Sequence, residues 1–299
     1  MVQAAGFEAV GFIGAGTMGL PMLRNLTKAG VTVTAYDAKR ETLAGIAAEG
    51  IATVSNLAAA AAAAPVIITM LPDTPDVRAV VLGDRGLAAT MPTGTLVIDM
   101  STIAPSAAEE IGQRLAERGV GFLDAPVSGG TVGAVNGTLS IMAGGTDEAF
   151  RRAEPILKCM GKSILHAGPW GMGQVFKACN QLMVASHIEA MCEALALGRA
   201  HGADLERLLA ALRGGAAGSW MLDNLAPKVL AGDASAGFRI DLQLKDLKLA
   251  GDAAFTKGVP LPGLALVTAL YLEARAHGEG GNGNQALFRT FDRMTNQAR

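Results

Sequence analysis

Short runs of apolar, β-branched residues alternate with segments of helix length through the first half of the chain. Strands that are buried on both faces are continuously apolar, and their alternation with helices predicts βαβ units around a parallel sheet. This half is therefore predicted to be a doubly wound α/β domain. Its predicted strands are residues 9–13, 31–36, 66–71, 95–100, 121–124 and 138–143.

The second half has a different pattern, with long stretches of Ala, Leu, Met, Glu and Arg and no comparable apolar runs after about residue 165. Residues 174–201 contain no proline and a single glycine, Gly198, which predicts one long helix of roughly 28 residues. The expected organisation is a sheet domain over residues 1–165 and an all-helical domain over residues 166–299, joined by that helix.

Residues 51–72 form an uncharged stretch long enough to cross a bilayer. A membrane span is nevertheless disfavoured, because Pro65 separates a helix-forming alanine run, residues 58–64, from an apolar run of strand length. The amino-terminal segment has neither a basic region nor an apolar core, so no secretory signal is expected. The sequence predicts no association with a membrane.

Composition narrows the class of protein and its partners. Of 299 residues, 50% are hydrophobic and 17% are charged, which excludes a disordered chain. A net charge of -2, an aromatic content of 4% and the absence of a basic run argue against a nucleic-acid partner. Three cysteines without a CxxC pair and four scattered histidines predict a cytoplasmic protein with neither disulfides nor a metal site.

A glycine-rich turn directly follows the first predicted strand and precedes a helix-forming segment. Residues 14–19 read GAGTMG, and in this context the GxGxxG pattern indicates a dinucleotide-binding, Rossmann-type domain. Its glycines allow a tight turn and a close approach of the backbone to a pyrophosphate, although a turn needed only for packing is the alternative. The residues predicted to contact the cofactor here are Gly14, Gly16, Thr17, Met18 and Gly19.

Asp37 closes the second predicted strand, at the place where a carboxylate accepts hydrogen bonds from an adenosine ribose. Lys39 and Arg40 follow it and would accommodate a 2′-phosphate in part. NAD(H) is therefore the favoured cofactor, with NADP(H) as the alternative.

Ser128-Gly129-Gly130 follows a predicted strand and carries little side-chain bulk. Consecutive backbone N–H groups in such a segment can form a concavity for a carboxylate, although glycines also suit an ordinary βα turn. The first interpretation predicts a small anionic substrate.

Lys177 lies among apolar neighbours near the start of the long helix. Desolvation and the helix dipole are expected to lower its pKa there, so that it can donate a proton to a carbonyl oxygen. Asn180 and Gln181, three and four residues later, lie on the same helical face and can hydrogen-bond the same substrate. The alternative is a solvated surface lysine.

Five segments spread over most of the chain resemble those of the β-hydroxyacid dehydrogenases, the family that contains 3-hydroxyisobutyrate dehydrogenase and tartronate semialdehyde reductase. Their joint occurrence in the right order is far more specific than a GxGxxG pattern alone. The segments are GFIGAGTMGLPMLRNL at 11–26, DMSTIAP at 99–105, DAPVSGGTVGAVNGTLSIMAGG at 124–145, GMGQVFKACNQ at 171–181 and KDLKLA at 245–250.

This resemblance implies an NAD(P)-dependent oxidoreductase with Lys177 as the general acid and base. The residues that it implies for the substrate are Ser128, Gly129, Gly130, Asn180 and Gln181. Beyond the glycine-rich turn and Asp37, the residues that it implies for the cofactor are Leu71, Pro72, Ser101, Thr102 and Lys245.

The resemblance also implies a substrate class, short semialdehydes that carry a carboxylate and are interconverted with their 3-hydroxy acids. Gln181 after Asn180 resembles the tartronate semialdehyde reductase branch, so reduction of tartronate semialdehyde to glycerate is the first choice. A 3-hydroxyisobutyrate or 4-hydroxybutyrate dehydrogenase is the alternative within the class. A non-catalytic dinucleotide-binding interaction module and an imine reductase are the alternatives outside it, and Lys177 disfavours both.

One segment departs from the family pattern. Residues 280–285 read GGNGNQ, whereas the family often carries an aspartate in its carboxy-terminal glycine-rich loop. That difference puts in doubt any role of this aspartate in closing the site or the oligomer. The resemblance otherwise implies a homodimer or homotetramer.

Overall fold

The computed structural model describes residues 8–295, which divide into two compact units with the boundary between Lys177 and Ala178. The first unit contains the β-sheet. Its strands are β1 (Val10–Ile13), β2 (Val33–Tyr36), β3 (Ala52–Thr53), β4 (Val66–Thr69), β5 (Leu96–Asp99), β6 (Gly121–Asp124), β7 (Val127–Ser128), β8 (Leu139–Gly145) and β9 (Gly161–Gly168).

Helices connect the strands and make up the second unit. Those of the first unit are α1 (Gly19–Lys28), α2 (Arg40–Ala48), α3 (Leu57–Ala63), α4 (Thr74–Leu82), α5 (Pro105–Ala116), α6 (Gly130–Asn136) and α7 (Asp147–Leu157). The long helix α8 (Met172–Ala200) is followed by α9 (Leu205–Arg213), α10 (Trp220–Asn224), α11 (Ala226–Leu230), α12 (Ile240–Lys257), α13 (Pro262–Ala276) and α14 (Phe288–Met294).

The strands form one sheet in the order β3-β2-β1-β4-β5-β6-β8-β7, and β9 pairs with β8. All pairs from β3 to β6 are parallel, and the winding reverses at β1, which lies between β2 and β4. This arrangement confirms the predicted fold class, a Rossmann-type sheet followed by an all-α domain and joined by a long helix. The pairs β6–β8 and β7–β8 are antiparallel, so the far edge of the sheet differs from the expected parallel pattern.

Helices cover both faces of the sheet. Val10 and Phe12 of β1 pack with Met22 of α1 on one face. Ile13 packs with Ile67 and with residues of α3, α4 and α5 on the opposite face. Burial on both sides explains why the central strands are apolar except at their carboxyl-terminal residues, such as Thr69 and Asp99.

Three strands lie outside the predicted set. β3 and β7 have two residues each, too few to produce a periodic pattern. β9 is longer, but Lys162, Ser163 and Leu165 are exposed, so its apolar residues do not form a continuous run. Its pairing with β8 extends the sheet beyond the last strand that the sequence predicts.

Helix α8 occupies the segment for which a helix over 174–201 is predicted, beginning at Met172 and ending at Ala200. The boundary between the two compact units falls within it, after Lys177, rather than at residues 165 and 166. The first turns of α8 belong to the sheet unit because they are hydrogen-bonded to it, as described below. No helix within residues 8–295 combines the length and apolarity that a membrane span requires.

Candidate active site

The glycine-rich turn after β1 uses each of its three glycines differently. Gly14 has φ +91°, and a Cβ at that position would clash with the carbonyl oxygen of Met70. A Cβ at Gly19 would clash with the carbonyl oxygen of Gly14, so this glycine allows α1 to lie close to the turn. A Cβ at Gly16 would meet no described atom within 4 Å. The turn is closed towards the protein and open at Gly16, where a pyrophosphate approaches the backbone of such turns.

Asp37 lies directly beside this turn. Its Oδ2 accepts a hydrogen bond from the backbone N–H of Ala15 at 2.8 Å, and its Oδ1 accepts one from the N–H of Lys39 at 2.8 Å. A carboxylate offers about four acceptor positions, so Asp37 can hold the turn and still accept ribose hydroxyls. Thr17 is exposed and Met18 is half-buried next to it.

The loops that follow β4 and β5 are joined through the buried Asp99. Its Oδ1 accepts hydrogen bonds from the hydroxyls of Thr69 at 2.7 Å and Ser101 at 2.6 Å. The Ser101 hydroxyl also accepts the N–H of Leu71 at 2.9 Å, so it is engaged within the protein. Ser101 therefore holds these two loops together, and its contact with a cofactor stays a prediction. The remaining predicted residues of these loops are Pro72, which is exposed, and Thr102, which is half-buried.

The Ser-Gly-Gly segment lies where β7 ends. Gly129 and Gly130 have φ values of +130° and +59°, a region that side-chain-bearing residues rarely adopt. The backbone itself thus requires glycine here, whatever the segment binds. Gly129 is exposed, and Ser128 and Gly130 are half-buried, so the segment is accessible to a small ligand.

Asp124, at the end of β6, is fully buried and holds the start of α8. Its Oδ1 accepts the N–H of Gly171 at 2.8 Å, and its Oδ2 accepts the N–H of Gln174 at 3.0 Å. These are amide groups that a helix start leaves without partners inside the helix. Burial raises the pKa of Asp124 to about 7, against the effect of the two N–H donors, and nearby Asp99 adds to the rise.

Lys177 follows one turn after Gln174 on α8, and both side chains are buried, with 5% and 1% exposure respectively. Burial rules out the solvated surface lysine that is the alternative for an isolated lysine at this place. Asn180 is half-buried, and its Oδ1 is a buried atom that accepts no hydrogen bond from any described residue. Cys179 is exposed on the same helix.

Gln181 is predicted to contact the substrate, but its side chain is hydrogen-bonded within the helical unit. Its Nε2 donates to Oδ2 of Asp246 at 2.6 Å, and the side chain is 3% exposed. Lys245 forms an ion pair with the same carboxylate, with 3.1 Å between Nζ and Oδ1. The structure thus brings together Gln181, Lys245 and Asp246, and gives Gln181 a role in holding Asp246. Its contact with a substrate stays a prediction.

The segment at 280–285, which departs from the family pattern, is held by amide side chains. Asn284 donates to Oε1 of Gln243 at 3.2 Å, and Gln243 donates to the carbonyl oxygen of Gln181 at 3.2 Å. Gln285 donates to the carbonyl oxygens of Asp233 and Ser235, both at 2.9 Å. Neutral amides therefore connect this loop to the buried polar residues of the helical unit without an aspartate.

Asp99, Asp124 and Gln174 are site residues that the sequence motifs did not predict. A signal was available, because Asp99 and Asp124 each end an otherwise apolar strand, and strand ends on this side of a parallel sheet carry ligand sites. No comparable signal marked Gln174, since its contacts depend on which loop faces the helix.

Comparison with known proteins was consistent with this geometry. The family model for the NAD-binding domain of 6-phosphogluconate dehydrogenase matches residues 9–168. The family model for the NAD-binding domain of NADP-dependent 3-hydroxyisobutyrate dehydrogenase matches residues 171–291. The 2-hydroxy-3-oxopropionate reductase of Escherichia coli is 37% identical over 289 residues, which cover 96% of this chain and 98% of that protein. The chain belongs to the β-hydroxyacid dehydrogenase family.

Two further relatives of this chain are named for L-serine or have been solved with it. The NAD-dependent L-serine dehydrogenase of Pseudomonas aeruginosa is 41% identical, with 88% of this chain and 91% of that protein covered. The structure of the Mycobacterium tuberculosis 3-hydroxyisobutyrate dehydrogenase with L-serine superimposes with a TM-score of 0.88 at 33% identity. That alignment covers 95% of this chain and 99% of that one.

Family membership confirms the prediction that this chain is an NAD(P)-dependent oxidoreductase acting on CH–OH groups. The residues present fit the cofactor, because the turn is open at Gly16 and the Asp37 carboxylate lies beside it. Membership of this enzyme family argues against the alternative of a non-catalytic dinucleotide-binding interaction module. Within residues 8–295, no cluster of three His, Cys, Asp or Glu side chains could hold a metal ion.

Proposed function

We propose that this enzyme reduces a short semialdehyde that carries a carboxylate to its 3-hydroxy acid, and catalyses the reverse oxidation, with tartronate semialdehyde and glycerate as the first pair to test. The observation that carries the proposal is the buried Lys177 on the first turns of α8, followed by Asn180, whose buried Oδ1 accepts no hydrogen bond from residues 8–295. The 37% identity to a 2-hydroxy-3-oxopropionate reductase supports this choice of substrate.

Each proposed residue has a separate task. A bound nicotinamide supplies or accepts the hydride. Lys177 gives a proton to the carbonyl oxygen in reduction and takes it back in oxidation. Asn180 hydrogen-bonds the substrate through its side-chain amide, while the Ser128-Gly129-Gly130 segment binds the substrate carboxylate through backbone N–H groups.

The named relatives leave several short hydroxy acids as candidate substrates. A 3-hydroxyisobutyrate or 4-hydroxybutyrate dehydrogenase remains the alternative, and the identity to an L-serine dehydrogenase adds L-serine as a second candidate. All of them carry a carboxylate at a short distance from the hydroxyl. A spectrophotometric panel of semialdehydes and hydroxy acids, followed at the NADH absorbance, identifies the substrate by kcat/KM.

We predict that aldehydes without the carboxylate are poor substrates, with kcat/KM roughly a hundredfold lower, because orientation is lost together with affinity. Each charged aldehyde is compared with a neutral one of the same length. Gly129→Val is expected to lower kcat/KM for the charged aldehydes and to leave NADH binding intact, since valine strains a backbone at φ +130°. Equal efficiency with the neutral partner would show that the segment does not bind a carboxylate.

We predict a preference for NADH over NADPH of roughly tenfold or more in kcat/KM, about 1.4 kcal/mol. Asp37 would repel a 2′-phosphate, and the exposed Lys39 and Arg40 would offset that repulsion only in part. Asp37→Asn keeps one oxygen to accept the Ala15 N–H and loses the acceptor of the Lys39 N–H, so it should narrow the preference while the glycine-rich turn keeps its hydrogen bond.

Asp37→Ala should also narrow the preference for NADH, and it should weaken binding of both cofactors because the turn loses its acceptor. Asp76→Ala removes an exposed carboxylate from α4 and serves as the matched control. A wild-type preference for NADPH would refute the role of Asp37.

We also propose a homodimer or homotetramer in a reducing, cytoplasmic compartment. The support for assembly is a set of large apolar side chains exposed on the helical unit. These are Phe255, Leu266 and Leu272, with 89%, 58% and 43% exposure. The support for the compartment is that Cys159, Cys179 and Cys192 are all free thiols.

A further inference from the structure

Two buried side chains fasten the start of α8 to the loops at the carboxyl ends of the strands. Asp124 accepts the N–H groups of Gly171 and Gln174, as described above. A Cβ at Gly144 would lie 2.6 Å from Oδ1 of Asp124, and one at Gly173 would lie 2.8 Å from Oδ2. Glycines thus surround this carboxylate, and the helix start is held against the ends of β6 and β8.

The side chain of Gln174 makes a second attachment, to the loop after β5. Its Nε2 donates to the carbonyl oxygen of Ser101 at 2.9 Å, and its Oε1 accepts the N–H of Ile103 at 3.1 Å. Both ends of the amide are used, and the side chain is 1% exposed. A residue with one donor and one acceptor at these positions therefore fixes the distance and the rotation of the helix relative to the loop.

The loop that Gln174 contacts is itself fixed. The Ser101 hydroxyl donates to Asp99 and accepts the N–H of Leu71. A chain of hydrogen bonds therefore runs from Leu71 through Ser101 to Gln174, which is one helical turn before Lys177. The side chain of Gln174 therefore links two loops to the helical turn before Lys177. Those loops carry Leu71 and Ser101, which are predicted to contact the cofactor, and Lys177 is predicted to transfer the proton.

We propose that Gln174 is a positioning residue, which sets the Lys177 ammonium at its working place by fixing the first turn of α8 to the Ser101–Ile103 loop. This inference rests on the proposed function of Lys177 as the proton donor. Displacement of a catalytic group by about 1 Å can cost roughly 10²-fold in rate. Loss of the Gln174 contacts should therefore reduce kcat, while the Kd for NADH changes little, because Asp99 still holds Ser101.

Gln174→Glu tests this at constant side-chain volume. An ionised glutamate still accepts the Ile103 N–H, but it presents a second oxygen to the carbonyl of Ser101 instead of a donor. A protonated glutamate restores the donor, and burial favours that form. Relative to wild type, kcat for reduction should fall by roughly 10- to 100-fold at about pH 8 and recover as the pH is lowered towards about 6.

Other titratable groups lie on the elements that meet Gln174, and the comparison must remove their effects. They are Asp99 on β5, Asp124 on β6, Glu109 on α5 near Gly171, and Lys177 on α8 itself. Gln174→Met retains all of them and makes neither hydrogen bond, so its kcat relative to wild type should be low at every pH. Gln113→Glu adds a carboxylate at an exposed position of α5 and should leave kcat at the wild-type level.

A double-mutant cycle with Lys177→Ala separates the inference from the proposed function. If Gln174 acts through Lys177, Gln174→Glu and Gln174→Met cause no further loss of residual turnover in the Lys177→Ala background. An equal loss in both backgrounds, or wild-type kcat for Gln174→Glu at every pH, would overturn the inference. Wild-type turnover of Lys177→Ala would instead refute the proposed function.

Thermal midpoints measured by circular dichroism show that each variant is folded under the assay conditions. If Gln174→Glu unfolds at the higher pH, Gln174→Met tests the role of Gln174 in the same double-mutant cycle with Lys177→Ala. Methionine is suitable because it places no charge in the buried site.

Discussion

Replacement of Lys177 by alanine is expected to reduce kcat for the reduction by roughly 10²- to 10⁴-fold, the usual contribution of a general acid. Affinity for NADH in a binding titration should stay close to the wild-type value, because the glycine-rich turn and Asp37 do not depend on this side chain. The measurement is steady-state kinetics with the best semialdehyde of the panel, together with fluorescence titration of NADH.

Two other substitutions distinguish proton transfer from packing and from charge. Lys177→Met fills most of the buried volume of the lysine stem, so it should be as inactive as Lys177→Ala if the amine is needed. Lys177→Arg keeps a positive charge but does not release a proton near neutral pH, and it should also lose most turnover. Lys162→Ala, at an exposed position of β9, is the control.

The pH profile gives an independent check on Lys177. Oxidation of the hydroxy acid should accelerate as the pH rises, because the free amine is the base, and this limb should be absent in Lys177→Ala. Turnover of Lys177→Ala within a few-fold of wild type would make Lys177 a structural residue. The proton would then come from water or from another group.

Asp124→Asn is expected to flatten the pH dependence of the free energy of unfolding. The folded-state pKa of Asp124 is raised to about 7 by burial, against 3.8 as the ordinary value. Between these two values the folded protein binds more protons than the unfolded chain, so stability decreases as the pH rises. The stabilisation by the neutral carboxyl is complete below the lower value and is lost as the pH passes through about 7.

The expected size of this effect is large. The slope approaches 1.4 kcal/mol per pH unit in that window, roughly 4 kcal/mol in all. Urea denaturation of wild type and Asp124→Asn at several pH values between about 4 and 8 measures it. Wild type should lose stability relative to the variant as the pH rises.

The asparagine variant has a separate cost that does not depend on pH. Its amide nitrogen faces one of the two N–H groups that Asp124 accepts, so one hydrogen bond is lost at every pH, a cost of roughly 1–3 kcal/mol. The test is therefore the difference in slope and not the difference at one pH. Asp84→Asn removes an exposed carboxylate as the control, and parallel curves for wild type and Asp124→Asn would contradict the prediction.

The strongest sequence patterns were those produced by local geometry. The parallel strands from β1 to β6 are apolar at nearly every position because helices cover both faces of the sheet. The glycine-rich turn was recognisable because Gly14 and Gly19 occupy positions where a Cβ would clash with backbone. The long helix was predicted to within two residues at its start.

Other features had weak sequence patterns. The two-residue strands β3 and β7 and the partly exposed β9 depend on pairing with neighbouring strands. The antiparallel edge of the sheet is defined by the pairing of β8 with β6 and β7, which no residue pattern marks. The attachment of α8 to β6 through Asp124 is not visible in the sequence, so no local pattern marks the end of the first compact unit at Lys177.

By itself, the sequence determined the fold class, the open glycine turn with Asp37 beside it, and the position of Lys177 near a helix start, because each depends on residues close together along the chain. Only the tertiary structure decided that Asp124 and Gln174 hold that helix, and that the side chains of Ser101 and Gln181 are engaged within the protein. The Leu71–Ser101 and Ser101–Gln174 contacts join residues that are 30 and 73 positions apart along the chain. Other contacts give a buried group its hydrogen-bond partner. Such pairings follow from how the loops meet when the chain is packed, and no local pattern specifies them.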